Sequence, residues 1–317
     1  MRPPFRAAAA AAACILAAAH PLPGGDLPRS SLAVQHGGRW VPWWDSARAP
    51  AVWSAPDPAV SCAVAWHPAA SGIEWGELAL AGTGEAWRLQ VVLVRLEPAR
   101  LRLELETANR EGGTLADWSL DRIPAGAVLA VNAGQFTAGV PWGWLVRDGA
   151  VEQAPARGAL SAAFCVSADG RPRFAPVSGI PATGNGGAAT AFQSYPVLLR
   201  GDGQVPPQLA SPGAGVDLDH RDARLALGEL RDGRLLLALT RFGGGGPALG
   251  SLPFGPTVPE MAAIVGALGC REALMLDGGI SAQLGVRDTD GTLHAWHGWR
   301  KVPLALVAYP RQGVPAP

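Results

Sequence analysis

The chain has 317 residues, with 26 Lys plus Arg, 26 Asp plus Glu and zero formal net charge. An apolar fraction of 48% beside a charged fraction of 16% excludes a disordered chain, which needs the opposite balance. Neutrality argues against a general nucleic-acid binder, because neutralising phosphates takes a basic excess; the length holds one large domain or two modest ones.

The N-terminus reads as a secretory signal over residues 1–19. Arg2 and Arg6 form a short basic region, Ala7 to Ala19 is uncharged and apolar, and Ala17-Ala18-Ala19 closes it with the small residues a signal peptidase accepts. The run is shorter than the roughly 20 residues that span a bilayer. Export, periplasmic or secreted, is the expectation; lipidation at Cys14 ranks second, and no stable membrane insertion is expected. Cys62, Cys165 and Cys270 would remain, an odd number. Cys165 and Cys270 sit in apolar context and read as buried small hydrophobes. A bridge from Cys62 to either is open, and no pair has zinc-ligand spacing.

Residues 20–86 are rich in Pro, Gly and Trp and read as an irregular arm. Trp40, Trp43, Trp44 and Trp53 could stack on sugar faces, but the favoured role is to pin the arm by burying their rings. From Leu89 the pattern becomes strand-like. Leu89 to Leu96 and Leu101 to Thr107 are two short runs, the second alternating Leu with Arg and Glu at period two. Pro98-Ala99-Arg100 between them suits a hairpin. Ala127 to Val131 is a continuous apolar run, expected of a strand covered on both faces. Further strands are expected at Trp144 to Val151, Leu160 to Ser167, Tyr195 to Leu199, Arg224 to Leu230 and Arg234 to Thr240. Arg231-Asp232-Gly233 turns the last two into a hairpin.

Val258 to Leu268 is the best helix. Thr257 and Glu260 have capping-box spacing, Pro259 fits the first turn and Gly269 follows as a stop. Short strands at Ala273 to Leu276 and Leu304 to Ala308 complete the chain. The expected fold is α+β, with packed mixed sheets and a few helices. The expected organisation is a signal at 1–19, the arm at 20–86, the main domain at 87–310 and a tail at 311–317.

Three apolar strands end abruptly in polar residues and glycines, which let backbone approach a ligand closely. Val128 to Val131 runs into Asn132-Ala133-Gly134-Gln135-Phe136. Asn132 could bond a hydroxyl or phosphate oxygen, or it could close an Asx turn. Arg224 opens the second strand, and its planar fork suits phosphate or a surface ion pair with Asp222 or Glu229. The third runs through Leu276 into Asp277-Gly278-Gly279-Ile280-Ser281. A carboxylate there suits a base, a nucleophile or a ligand, while Asp-Gly is also a hairpin turn. Gly243 to Gly246 lacks the P-loop ending. The histidines, His294 and His297 included, form no zinc pair, and no Ser occupies a Gly-x-Ser-x-Gly elbow.

In order and spacing these blocks resemble the phosphodiester glycosidase family over roughly residues 90 to 310. Asn132 to Phe136, Pro141-Trp142-Gly143, Gln193 to Leu198, Arg224 to Gly228, the Gly255, Thr257 and Glu260 helix start, and Leu276-Asp277-Gly278-Gly279-x-Ser281 carry the likeness. Ala133 and Gln135 depart from its first block; Ile280 and Ala282 stand where the family often has Gly and Ser. The resemblance implies hydrolysis of a sugar 1-phosphodiester, such as a GlcNAc-1-phosphodiester, to free sugar and a phosphomonoester. Asp277, Glu260 and Arg224 would be the catalytic set, with Asp277 at the anomeric carbon and Glu260 either the second carboxylate or a helix cap. Asn132, Gly134, Gly278, Gly279 and Ser281 would bind substrate, Arg224 and the glycine backbone holding phosphate. The expected partner is a carbohydrate or glycan-phosphate substrate, and not nucleic acid. No cofactor is required; a divalent cation, calcium, is an allowed addition without EF-hand spacing. The rival reading is a non-catalytic carbohydrate-binding or envelope-associated protein on the same fold.

Overall fold

The computed structural model describes residues 29–311, apart from 71, 108–117, 212, 214 and 245–248. The expected signal at 1–19, Cys14, residues 20–28, Gly245-Gly246 and residues 312–317 lie outside the described residues.

The architecture is built on three antiparallel sheets. The largest has nine strands. In spatial order they are Val197–Leu199, Cys270–Leu276, Leu225–Leu230, Leu235–Phe242, Leu89–Leu96, Ile73–Gly82, Ser31–His36 and Arg39–Asp45, with Ala65–Pro68 also paired to Ile73–Gly82. A second sheet orders Leu293–Trp296, Leu284–Arg287, Leu129–Asn132, Leu304–Pro310 and Leu101–Thr107. A third orders Ala150–Gln153, Leu145–Arg147, Ala188–Ser194, Ala162–Ser167 and Pro172–Pro176. Every pairing between named strands of the described residues is antiparallel, so the sheets are not mixed, and the protein is predominantly β rather than α+β.

Period-two patterning explains the layers. On the large sheet Leu78, Leu80, Val91, Leu93, Leu236 and Ala238 face one way, against the Val258–Ala267 helix. Val92, Val94, Leu225, Leu237 and Leu276 face the other way, against Leu105, Val131, Leu284 and Leu306 of the second sheet. The helix forms where its signals place it. Thr257 Oγ1 accepts the Glu260 N–H while the Glu260 carboxylate accepts the Thr257 N–H, and Gly269 ends it with a φ of +93°.

Two local expectations fail for physical reasons. Pro98–Arg100 is a single 3-10 turn but does not close a hairpin. Val91 to Val94 are buried on both faces, and Leu89–Leu96 fills its two edges with Ile73–Gly82 and Leu235–Phe242. The chain therefore crosses to the second sheet, where Leu101–Thr107 pairs with Leu304–Pro310. The strand expected over Trp144 to Val151 is a hairpin, Leu145–Arg147 and Ala150–Gln153. It turns at Asp148-Gly149, both with positive φ, the dihedrals of a type I′ turn.

The segment expected as an irregular arm supplies strands of the large sheet instead. Its tryptophans divide: Trp44 and Trp53 are buried, whereas Trp40 is 37% exposed. Trp53 lies on the helix at Gly266, where a Cβ would come within 2.3 Å of the indole. Cys62, Cys165 and Cys270 are all free, and Cys165 and Cys270 are buried. Among the described residues no helix is long and apolar enough to cross a membrane.

Candidate active site

Cys270–Leu276 is apolar from Ala273 to Leu276 because both its faces are covered. The chain emerges from that strand at Asp277 and turns sharply over the start of its neighbour. Gly279 N–H donates to the Ala223 carbonyl at 2.7 Å, and a Cβ at Gly278 would sit 2.5 Å from the same oxygen. Gly279 has a φ of +57°, and a Cβ there would meet Asp222 Oδ2 at 2.7 Å. The two glycines thus allow the loop to lie directly on Asp222-Ala223-Arg224. Since Gly279 N–H is bound to Ala223, it is not the phosphate donor the sequence suggested.

Asp277 is half-buried, yet its Oδ2 is fully covered and has no hydrogen-bond partner among the described residues. A buried oxygen left unpaired is costly, which together with its strand-end position makes this carboxylate the candidate functional group. Burial pushes the Asp277 carboxyl up to about 6; a hydrogen bond from Ser281 and the charge of Arg300 pull it down, and Asp222 pushes it further up. Ser281 is itself buried.

The second carboxylate in this field is Asp222, which sequence reasoning placed only as an ion-pair partner. Burial raises its pKa, opposed first by Arg224 and then by His220, whose Nε2 is 3.6 Å from Asp222 Oδ2. Glu260, the expected second carboxylate, is fully buried and already engaged. Arg221 grips both of its oxygens at 2.7 and 2.8 Å, and the Thr257 N–H takes one of them as well. Its capping role is the one the geometry supports.

Arg224 is turned toward main chain. Its Nε donates to the Pro256 carbonyl at 3.0 Å and its Nη2 to the His220 carbonyl, which fixes the segment carrying Asp222. The cation whose charge acts on Asp277 is Arg300, exposed, with its guanidinium 5.2 Å from the Phe136 ring. Nothing in the local sequence around Arg300 marks it. It arrives through topology, because Leu304–Pro310 pairs with Leu129–Asn132.

Asn132 is 1% exposed. Its Nδ2 donates to the Asp277 carbonyl at 2.8 Å and its Oδ1 accepts the Gln283 N–H at 2.9 Å. Both ends of the amide hold the loop that carries Asp277, so Asn132 positions Asp277 and has no free polar end of its own. Gly134 does related work: its carbonyl accepts the Asp277 N–H at 2.8 Å. Asp277, Gly278, Gly279, Ser281, Asn132, Gly134 and Arg224 are therefore brought together, most of them as scaffold. Around them stand Tyr195, Ile280 and Trp299, 38%, 41% and 60% exposed. Trp299 and Arg300 both donate backbone N–H groups to the Ile280 carbonyl, and the Tyr195 carbonyl accepts from Gln135. Three grooves of about 770 to 790 Å³ lie elsewhere on the surface, and none is lined by Asp277. No three His, Cys, Asp or Glu among the described residues group as metal ligands.

A largely covered carboxylate thus stands at the end of a sheet strand, held by a hydroxyl and within the field of a guanidinium. The phosphodiester glycosidase family matches residues 125–309, more than half of the chain, and the protein belongs to that family. Among solved structures the chain is similar to the catalytic domain of zebrafish N-acetylglucosamine-1-phosphodiester alpha-N-acetylglucosaminidase, auto-inhibited by its pro-peptide. The identity is 15% and the TM-score 0.57, over 80% of this chain and 89% of that one. It is also similar to a hypothetical protein from Synechocystis, at 16% identity and TM-score 0.55, covering 76% of this chain but only 62% of that protein's. A candidate exported protein from Burkholderia pseudomallei K96243 matches at 16% identity and TM-score 0.51, over 74% and 77% of the two chains. At these identities the likenesses establish the fold. No curated protein matches the chain.

Proposed function

We propose that this protein is an exported hydrolase that cleaves a sugar 1-phosphodiester of the GlcNAc-1-phosphodiester type, with Asp277 acting in its ionised form at the anomeric carbon. The observation that carries the reading is the covered, unpaired Oδ2 of Asp277 beside Arg300 and Ser281, in a chain of this family. In the reaction the bond from the anomeric carbon to the phosphate oxygen breaks, and its electron pair leaves on phosphate. Water supplies the hydroxyl to carbon and a proton to solvent or carboxylate, giving free sugar and a phosphomonoester. The departing phosphate is already a good leaving group, so charge stabilisation matters more than proton donation. Arg300 is the cation placed to supply it. Burial does most to raise the Asp277 carboxyl and Asp222 adds a smaller push, while Arg224 fixes the segment that carries Asp222. Retention of anomeric configuration would assign Asp277 as nucleophile, inversion as base.

The reaction written this way needs no cofactor. A non-catalytic glycan-binding role is the second reading, favoured by exposed Tyr195, Ile280 and Trp299 around the carboxylate. The test is free-sugar release by the mature protein from a panel of sugar 1-phosphodiesters and ordinary glycosides, each with chelator or added calcium. Turnover confined to the phosphodiesters supports the reading, and loss with chelator would add calcium to it. A folded protein that turns over nothing but binds glycans supports the second reading.

A further inference from the structure

The face of the large sheet that packs on the second sheet turns polar at one end. Trp40 pairs with Gln35, Ala79 with Gln90, and Gln90 with Arg241, so these side chains make a stripe across neighbouring strands. With Trp296 of the second sheet they line a groove of about 790 Å³. The period-two positions that are Val92 and Leu239 in the apolar interior become Gln90 and Arg241 here. An amide and a guanidinium at the mouth of an apolar layer cost desolvation unless a partner is provided.

Two arginines stand in this groove, and among the described residues neither forms an ion pair with a carboxylate. Arg241 is partly buried, burial alone depresses its pKa, and the one hydrogen bond its side chain makes among the described residues is a long one, 3.5 Å, to the His297 carbonyl. Arg88 is held over aromatic rings, 4.8 Å from the Trp40 centroid and 5.7 Å from Trp87. A guanidinium stacked in that way is fixed in place while its in-plane N–H edge stays available to an anion. Glu77 also lines the groove, exposed. Aromatic faces, amides and unpaired guanidiniums together are the chemistry that recognises a saccharide bearing carboxylates or similar acid groups.

Register places this groove at the same end of the sheet as the catalytic loop. Leu225 pairs with both Leu276 and Leu239, so Asp277 and Arg241 follow at the same end of the sheet, on strands two apart. We infer that the groove lined by Trp40, Arg88, Gln90, Arg241 and Trp296 is a binding site for an acidic saccharide chain, separate from Asp277. The site stands or falls independently of the hydrolytic reading, because its binding does not use the carboxylate.

The experiment is calorimetric titration of the full chain with a short oligogalacturonate, with the same oligomer methyl-esterified, and with inorganic phosphate. The acidic oligomer is expected to bind and its ester to bind about tenfold more weakly or less, the size of losing one charged hydrogen bond. Arg241→Gln and Arg88→Gln should each weaken the acidic oligomer about tenfold, and Trp40→Ala should weaken both oligomers. Asp277→Asn should bind like wild type. Equal binding of acid and ester, wild-type binding by both arginine variants, full displacement by phosphate at equal charge, or no binding at all would each overturn the inference.

Discussion

Gly279 stands directly over Asp222, so closely that a Cβ at 279 would approach Asp222 Oδ2 to 2.7 Å. The pair explains why Asp277 is followed by glycines: they let its loop settle on a second carboxylate, and that carboxylate then tunes the first. Gly279→Ala adds a clash to a left-handed φ of +57°. The substitution should cost about 1–3 kcal/mol of stability, read by denaturant unfolding. It should also lower turnover at temperatures where the protein remains folded.

The field around Asp277 predicts pH effects of opposite sign. Activity that needs ionised Asp277 rises with pH through about 6. Asp222→Asn removes a like charge and should move that limb to lower pH. Arg300→Gln and Ser281→Ala remove stabilising partners and should move it to higher pH. The pH dependence of kcat/KM for the three variants checks all three directions.

In the proposed reaction Arg300 meets the departing phosphate. Arg300→Ala should lower kcat/KM by about 10²- to 10³-fold, as the loss of one preorganised stabilising group does. Because Arg300 is exposed, the variant's melting temperature should stay near wild type. Arg300→Lys should recover part of the rate, since charge returns without the planar fork.

Glu260 behaves differently. Its carboxylate is fully buried, shared between Arg221 and the helix cap. Glu260→Gln leaves Arg221 without its counter-charge and should destabilise by about 3–5 kcal/mol. Any molecules that remain folded should keep the wild-type pH limb, which separates a structural residue from a catalytic one.

Much of this is legible in the sequence. The capping box from Thr257 to Glu260, the alternation from Leu101 to Leu105 and the apolar run into Asp277 are local signals, and local hydrogen bonding or covered faces enforce them. What escapes depends on which strands meet. Pro98–Arg100 resembles a hairpin turn, yet the two edges of Leu89–Leu96 are taken by strands about 15 residues earlier and about 145 later in the chain. Asn132 and Arg224 stand out in the sequence, but as residues in direct contact with substrate. Their side chains instead bond main chain across the loop, which only the folded arrangement reveals. Asp222 and Arg300 carry no motif of their own and reach Asp277 through strand pairing alone.

The most direct measurement compares wild type with Asp277→Asn in two readings at pH 7: sugar release from a GlcNAc-1-phosphodiester and thermal unfolding. A carboxyl raised to about 6 is disfavoured as the anion in the fold. Its stabilising protonated form is fully present below the unfolded pKa, and stability is lost as pH rises through about 6. Each tenfold change in the ionisation equilibrium is worth about 1.4 kcal/mol, and solvent reaching the group trims the total. The variant should therefore gain about 1–2 kcal/mol at pH 7 and nothing near pH 4. The account predicts a more stable protein with no turnover. A variant that keeps wild-type turnover would contradict the assignment of Asp277.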